Sequence, residues 1–257
     1  MTFNIFIGIT IPFWGTLLGV LCVLFMKSCL SSRLRVALLG FAGGIMTAAA
    51  VWSLLIPAIT YADSMGALAF IPANAGFLLG VLFLILLEWA IPRLRKRLSG
   101  RSDGLGSSAM MVLAVGLHNI PEGMAVGAVF AGLLSGMTDV TVGGALALAV
   151  GIAIQNIPEG AIVSMPLRSE GKSRGCALAA GVISGIVEPV GALVTLFAAG
   201  HLIPILPYLL GFAAGAMLYV VVKDLIPEAD NEGLGRLGSI LFAVGFSTMM
   251  ILDVTLG

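Results

Sequence analysis

Long apolar runs dominate this chain, broken only by short clusters of charged or turn-forming residues. A helix that crosses a bilayer needs about 20 mostly apolar residues. Eight runs reach that length, over roughly 4–26, 36–59, 69–91, 107–134, 143–166, 176–199, 204–227 and 236–255. The connections are short, and the longest is PRLRKRLSGRSDGLGS at 92–107. The pattern predicts an all-α polytopic membrane protein with eight transmembrane helices, forming a single transmembrane domain over residues 1–257.

The charges fix an orientation. All 13 Lys and Arg lie in or beside alternate connections. Lys27, Arg33 and Arg35 attend the first. Arg93, Arg95, Lys96, Arg97 and Arg101 attend the third, and Arg168, Lys172 and Arg174 the fifth. Lys223 and Arg236 flank the seventh. The even connections and both termini carry none, so the positive-inside rule puts both termini outside the cytoplasm. One misplaced span would scramble this alternation.

Composition sharpens the class. Hydrophobic residues make up 59% and charged residues 10% of the 257 positions, against about 25% charged in soluble domains. The principal partner is therefore the lipid bilayer, in a multi-pass cell (plasma or inner) membrane protein. A net charge of zero and the lack of a basic, aromatic-interleaved patch leave no nucleic-acid partner expected. Cys22, Cys29 and Cys176 show neither paired nor metal-ligand spacing and read as small apolar filler. The start, MTFNIFIGIT, lacks the basic n-region of a typical signal peptide. A homodimer is compatible with the sequence, which does not fix the oligomeric state.

Two apolar runs carry polar groups where these are most expensive. GLHNIPEGMAVG occupies 116–127, and AIQNIPEGAIVS occupies 153–164. Each motif begins about a dozen residues into its run, which at about 1.5 Å per residue is near mid-membrane. The two runs point in opposite directions. Inverted segments that both carry Pro and Gly at mid-depth are a pointer to a transport site, and they predict interrupted helices. Glu188, in SGIVEPVGA, is central in the sixth run. Three carboxylates at that depth, with no Lys or Arg among them, must be protonated, face water or bind cations.

The neighbours narrow the cation. His118 and Glu122 are four residues apart, hence on one helix face, and Gln155 and Glu159 repeat the spacing. Asn119 and Asn156 sit one position round and offer carbonyl oxygens. Pro121 and Pro158 withhold backbone donors from the carbonyls of Leu117 and Ile154. One imidazole with carboxylate and amide oxygens suits a borderline divalent ion such as Zn²⁺, Fe²⁺, Mn²⁺ or Cd²⁺. Such ions would be cargo, and no prosthetic group is implied.

At these residues the sequence resembles the ZIP family of divalent-metal transporters, nearest its prokaryotic GufA-like branch. The likeness rests on HNIPEG at 118–123, QNIPEG at 155–160, GIVEPVGA at 185–192, GIMTAAAVWSLLIPAI at 44–59 and GAMLYVVVKDLIPEA at 215–229. It implies eight helices in a 3+2+3 inverted-repeat arrangement with extracytoplasmic termini, and metal uptake into the cytoplasm. It also implies a binuclear centre. One metal would be held by His118, Glu122, Gln155 and Glu159, the second by Asn119, Glu122, Asn156, Glu159 and Glu188. Some relatives have Asp where Asn156 stands, and residues 92–107 lack the His-rich loop of many relatives. The resemblance further implies alternating access, with the metal-bearing helices moving against the rest.

Pathway candidates follow. Met46, Ala49 and Ser53 on the second run would seal the path, with ordinary packing, or back-bonding for Ser53, as the alternative. Glu88, Asp224 and Glu228 resemble exit-path acids, although Lys223 beside Asp224 offers it a partner. Asp63 and His201 are candidates for ion capture on the outer side. Two other functions compete. A proton- or sodium-coupled carrier of organic solutes would usually need a buried Arg or Lys. An intramembrane hydrolase would need, within the apolar runs, an H-E-x-x-H helix, a G-x-S-x-G nucleophile or an aspartyl pair with an acceptor pattern; the one G-x-S-x-G match, GRSDG at 100–104, lies in the polar connection instead.

Overall fold

A computed structural model describes residues 2–25, 31–98, 107–136, 141–169, 172–201, 203–230 and 233–256. The side chains of His118 and His201 lie outside the described residues, as does the connection at 99–106. Where lipid offers no hydrogen bonds, an apolar chain satisfies its backbone only by coiling into helices, and the described residues are almost wholly helical. The α-helices are α1 (Thr2–Phe25), α2 (Ser32–Ala49), α3 (Ile56–Tyr61), α4 (Phe70–Leu98), α5 (Ser107–Leu134), α6 (Val142–Ser169), α7 (Arg174–His201), α8 (Leu206–Val220), α9 (Ile226–Asp230) and α10 (Gly235–Leu256).

Two π-helical turns join some of these into longer rods. Ala50–Leu55 links α2 to α3, and Val221–Leu225 links α8 to α9. Each is followed by Ile-Pro, at Ile56-Pro57 and Ile226-Pro227. Proline removes one helical donor and crowds the carbonyl four residues back, and here the chain widens by a π turn rather than ending. Among the described residues the helices thus form eight rods. Seven are long and apolar enough to cross a membrane; in α5 the described apolar stretch is Asn119–Leu134.

Two expectations need correction. The segments carrying the Asn-Ile-Pro-Glu-Gly motifs are not interrupted: α5 and α6 each run for 28 residues without a break. Just past Pro121, Gly123 and Gly127 of α5 lie directly on the backbone of α7. The interruptions lie instead in the π turns. The third connection is also shorter than 92–107, because α4 continues through Leu98. Arg, Leu and Lys are good helix formers, and cations suit a helix C-terminus. Arg93 stacks on Trp89, 3.8 Å from the ring centroid, and bonds the Trp89 carbonyl.

Glycines set the helix pairing. The most extensive contacts are α1–α6, α5–α7, α2–α10 and α4–α8. In each pair, glycines four residues apart bring one backbone onto another, as small-xxx-small packing allows. Gly15 and Gly19 of α1 meet the carbonyls of Ala153 and Ile157; Gly123 and Gly127 of α5 meet those of Glu188 and Ala192. Gly40 and Gly44 of α2 meet Gly238 and Phe242, and Gly76 and Gly80 of α4 meet Tyr208 and Phe212. Helix α1 also packs on α7, which gathers α1, α5, α6 and α7 into one group; α8 packs on the π turn after α2, which joins the other two pairs.

Candidate metal centre

The site lies inside the first group. Glu122, Gln155 and Asn156 are 0% exposed, and Thr16, Asn119 and Glu188 are 1% exposed. Asn119 and Glu122 come from α5, Gln155 and Asn156 from α6, and Glu188 from α7. Helical spacing turns the side chains inward, and the glycine contacts bring the backbones close enough for short side chains to meet.

Two amide–carboxylate pairs organise these groups. Gln155 Nε2 donates to Glu122 Oε1 at 2.8 Å. Asn119 Nδ2 donates to Glu188 Oε1 at 3.0 Å and to the Ser184 carbonyl at 3.0 Å. Because carboxylates accept and amide nitrogens donate, each amide turns its oxygen away from its partner. What remains is a set of buried atoms with no hydrogen bond in the protein: Asn119 Oδ1, Glu122 Oε2, Gln155 Oε1, Glu188 Oε2, and both amide atoms of Asn156. Leaving such atoms unsatisfied costs about 1–3 kcal/mol each. Five of the six are oxygens, so a cation is the ligand whose chemistry fits them.

Glu159 is half-buried on α6, four residues after Gln155 and hence on the same helix face. Among the described residues no basic side chain is bonded to Glu122, Glu159 or Glu188. Also among the described residues, no three His, Cys, Asp or Glu side chains alone form a metal-holding cluster; the oxygens that complete this set are amides.

The structure adds a residue that sequence reasoning missed. Thr16 Oγ1, on α1, donates to Glu188 Oε1 at 2.6 Å. Its one sequence signal is the Gly15–Gly19 spacing, which marks a helix that others approach closely.

The pathway candidates fare differently. Met46 and Ala49 are buried in the apolar core. Ser53 does not back-bond: its Oγ donates to Asp253 Oδ1 of α10 at 2.5 Å, and Asp253 is a second residue the sequence left unmarked. Lys223 pairs with Glu88, not simply with its neighbour Asp224, and Tyr219 donates to Glu88 at 2.9 Å. Arg35 pairs with Glu228 at 2.7 Å. Asp63 is exposed in the 3₁₀ turn Asp63–Leu68. Asp224 lies in the second π turn. Cys22 bonds the Leu18 carbonyl and Cys176 is exposed; both are free thiols.

The pattern of the ZIP Zinc transporter family matches residues 98–253. Zinc transporter GufA of Myxococcus xanthus is 37% identical, covering 95% of this chain and 95% of the relative. Zinc transporter ZIP11 of Homo sapiens is 36% identical, again covering 95% of each. Zinc transporter ZIPB of Bordetella bronchiseptica is 36% identical over 95% of this chain and 79% of its own length. Likeness over nearly the full length, joined to the membrane-length helices, makes this chain a multi-pass membrane protein that belongs to the ZIP family.

Proposed function

We propose that this protein carries divalent transition-metal ions, zinc foremost, into the cytoplasm through a mid-membrane site on α5, α6 and α7. The observation that carries the reading is the set of buried oxygens left unpartnered by two oriented amide–carboxylate pairs. His118, Glu122, Gln155 and Glu159 hold one metal; Asn119, Glu122, Asn156, Glu159 and Glu188 hold the second. Oxygen donors with one imidazole bind more weakly than a thiolate cage, which suits an ion that must also leave. The whole chain, 1–257, acts as one transporter domain in the cell membrane. All eight rods span the bilayer, and the alternation of Lys and Arg supports extracytoplasmic termini. The relatives named above are zinc transporters, which supports zinc as cargo.

The test is metal uptake into proteoliposomes. Glu122→Ala and Glu159→Ala each abolish zinc uptake while the purified variants remain folded. Near-normal uptake by either variant overturns the shared-carboxylate site. Uptake of an organic solute in place of metal overturns the cargo.

A further inference from the structure

We infer that Thr16, on α1, is a positioning residue of the proposed metal centre. The inference rests on the metal site proposed above. Hydroxyls in membrane helices commonly bond the carbonyl three or four residues back. Thr10, Thr47, Ser164 and Thr248 do so here, at 2.7–2.9 Å. Thr16 instead reaches a buried carboxylate on another helix.

The approach is built into three helices. Gly15 and Gly19 seat α1 on the α6 carbonyls of Ala153 and Ile157. Gly160 of α6 faces the Thr16 carbonyl, and Gly185 of α7 faces the Thr16 side chain. A larger residue at any of these positions would move the hydroxyl away from Glu188. Gly160 closes the QNIPEG motif and Gly185 opens GIVEPVGA, so the cradle for Thr16 is part of the metal-site motifs themselves.

The consequence is chemical. Glu188 Oε1 accepts from both Thr16 and Asn119. Two donors fix the carboxylate and commit that oxygen, so Glu188 Oε2, buried and unpartnered, is the atom presented to the metal. The same Asn119 amide, held by Glu188, presents Oδ1. Without the hydroxyl, Glu188 has one donor fewer and can swing, and both presented atoms lose their fixed direction.

The experiment compares Thr16→Val, which keeps the β-branch and removes the hydroxyl, with Thr16→Ser, which keeps the hydroxyl. A hydrogen bond to a charged group is worth enough for the Val variant to raise the KM for zinc uptake by about tenfold or more. Its thermal midpoint in detergent should stay near that of the parent, and Thr16→Ser should restore the KM to within about threefold. In a Glu188→Ala background, which removes the acceptor, Thr16→Val should add almost nothing further. A Val variant with parental KM, or Val and Ser variants that lose uptake alike in step with lost stability, overturns the assignment. If the parent protein takes up no zinc, the transport reading fails instead. Zinc titration of the detergent-solubilised parent and Val variant then judges Thr16 by affinity alone, with equal affinities overturning it.

Discussion

Gln155 and Glu122 show what one hydrogen bond decides at this site. The Gln155 amide gives its nitrogen to Glu122 and its oxygen to the open side. Gln155→Ala therefore removes one neutral ligand and also the donor that fixes Glu122. Water can replace the ligand but does not hold the carboxylate. Zinc uptake should fall by about tenfold, well short of the complete loss in Glu122→Ala. Equal losses in the two variants, measured side by side in proteoliposomes, would show that Gln155 does more than this. The duplicated motif marked these residues in the sequence, since a helix-packing kink alone would not explain the carboxylates in two copies of Asn-Ile-Pro-Glu-Gly, and the structure buries Glu122 and Gln155 together. Thr16 and Asp253 were not legible. A lone hydroxyl or a carboxylate near a helix end reads as locally satisfied, and only the packing of α1 on α7, or of α2 on α10, reveals a distant partner. Glu88 and Glu228, read from sequence as acids suited to an ion path, are paired with Lys223 and Arg35, partners that sequence spacing did not indicate.

At the level of the helices, the membrane-length helices followed from hydrophobic run length, but proline misled. The Ile-Pro steps at 56–57 and 226–227 follow π turns, whereas Pro121 lies within an unbroken helix. The same residue gives different outcomes because the surrounding backbone contacts differ. Those contacts can be tested on α5. At Gly123 an added methyl would strike the Glu188 carbonyl of α7, while at Gly116 it would sit 3.7 Å from Ser184 Cα, an ordinary contact. Gly123→Ala must therefore push α7 away and carry Glu188 with it. Overpacking of this kind costs about 1–3 kcal/mol, or roughly 2–10 °C in thermal midpoint. Gly116→Ala should leave the midpoint and zinc uptake close to the parent values. If the two variants melt together, close backbone approach is not what aligns α5 with α7.

Across the whole molecule, the helices fall into a group of α1, α5, α6 and α7, which holds the proposed metal site, and a second group of α2, α4, α8 and α10 with the short α3 and α9. Backbone-on-backbone glycine contacts lie mostly within the groups. Between them, the additions at Gly151 and Gly132 would meet side chains: Met249 and Ile45 in one case, Tyr61 and Leu206 in the other. The exception is at one end of the bundle, where Gly143 abuts the Leu256 carbonyl. An interface of side chains shears more readily than one of interlocked backbones. This supports alternating access in which the first group moves as a block against the second, with buried Met46 and Ala49 of α2 helping to seal the joint. Ala49→Phe should then slow transport more than it weakens equilibrium zinc binding, since the site is on the other group. A stricter test places cysteines at 45 on α2 and 151 on α6, with Cys22, Cys29 and Cys176 replaced by serine. A Cβ at position 151 would lie 3.8 Å from Ile45 Cγ2, displacing the flexible end of Met249, so oxidation should join the groups. Zinc uptake should stop on oxidation and return on reduction, while zinc binding in detergent persists. If the crosslinked protein moves zinc at the normal rate, the groups need not move past one another, and the metal crosses by a fixed, channel-like path.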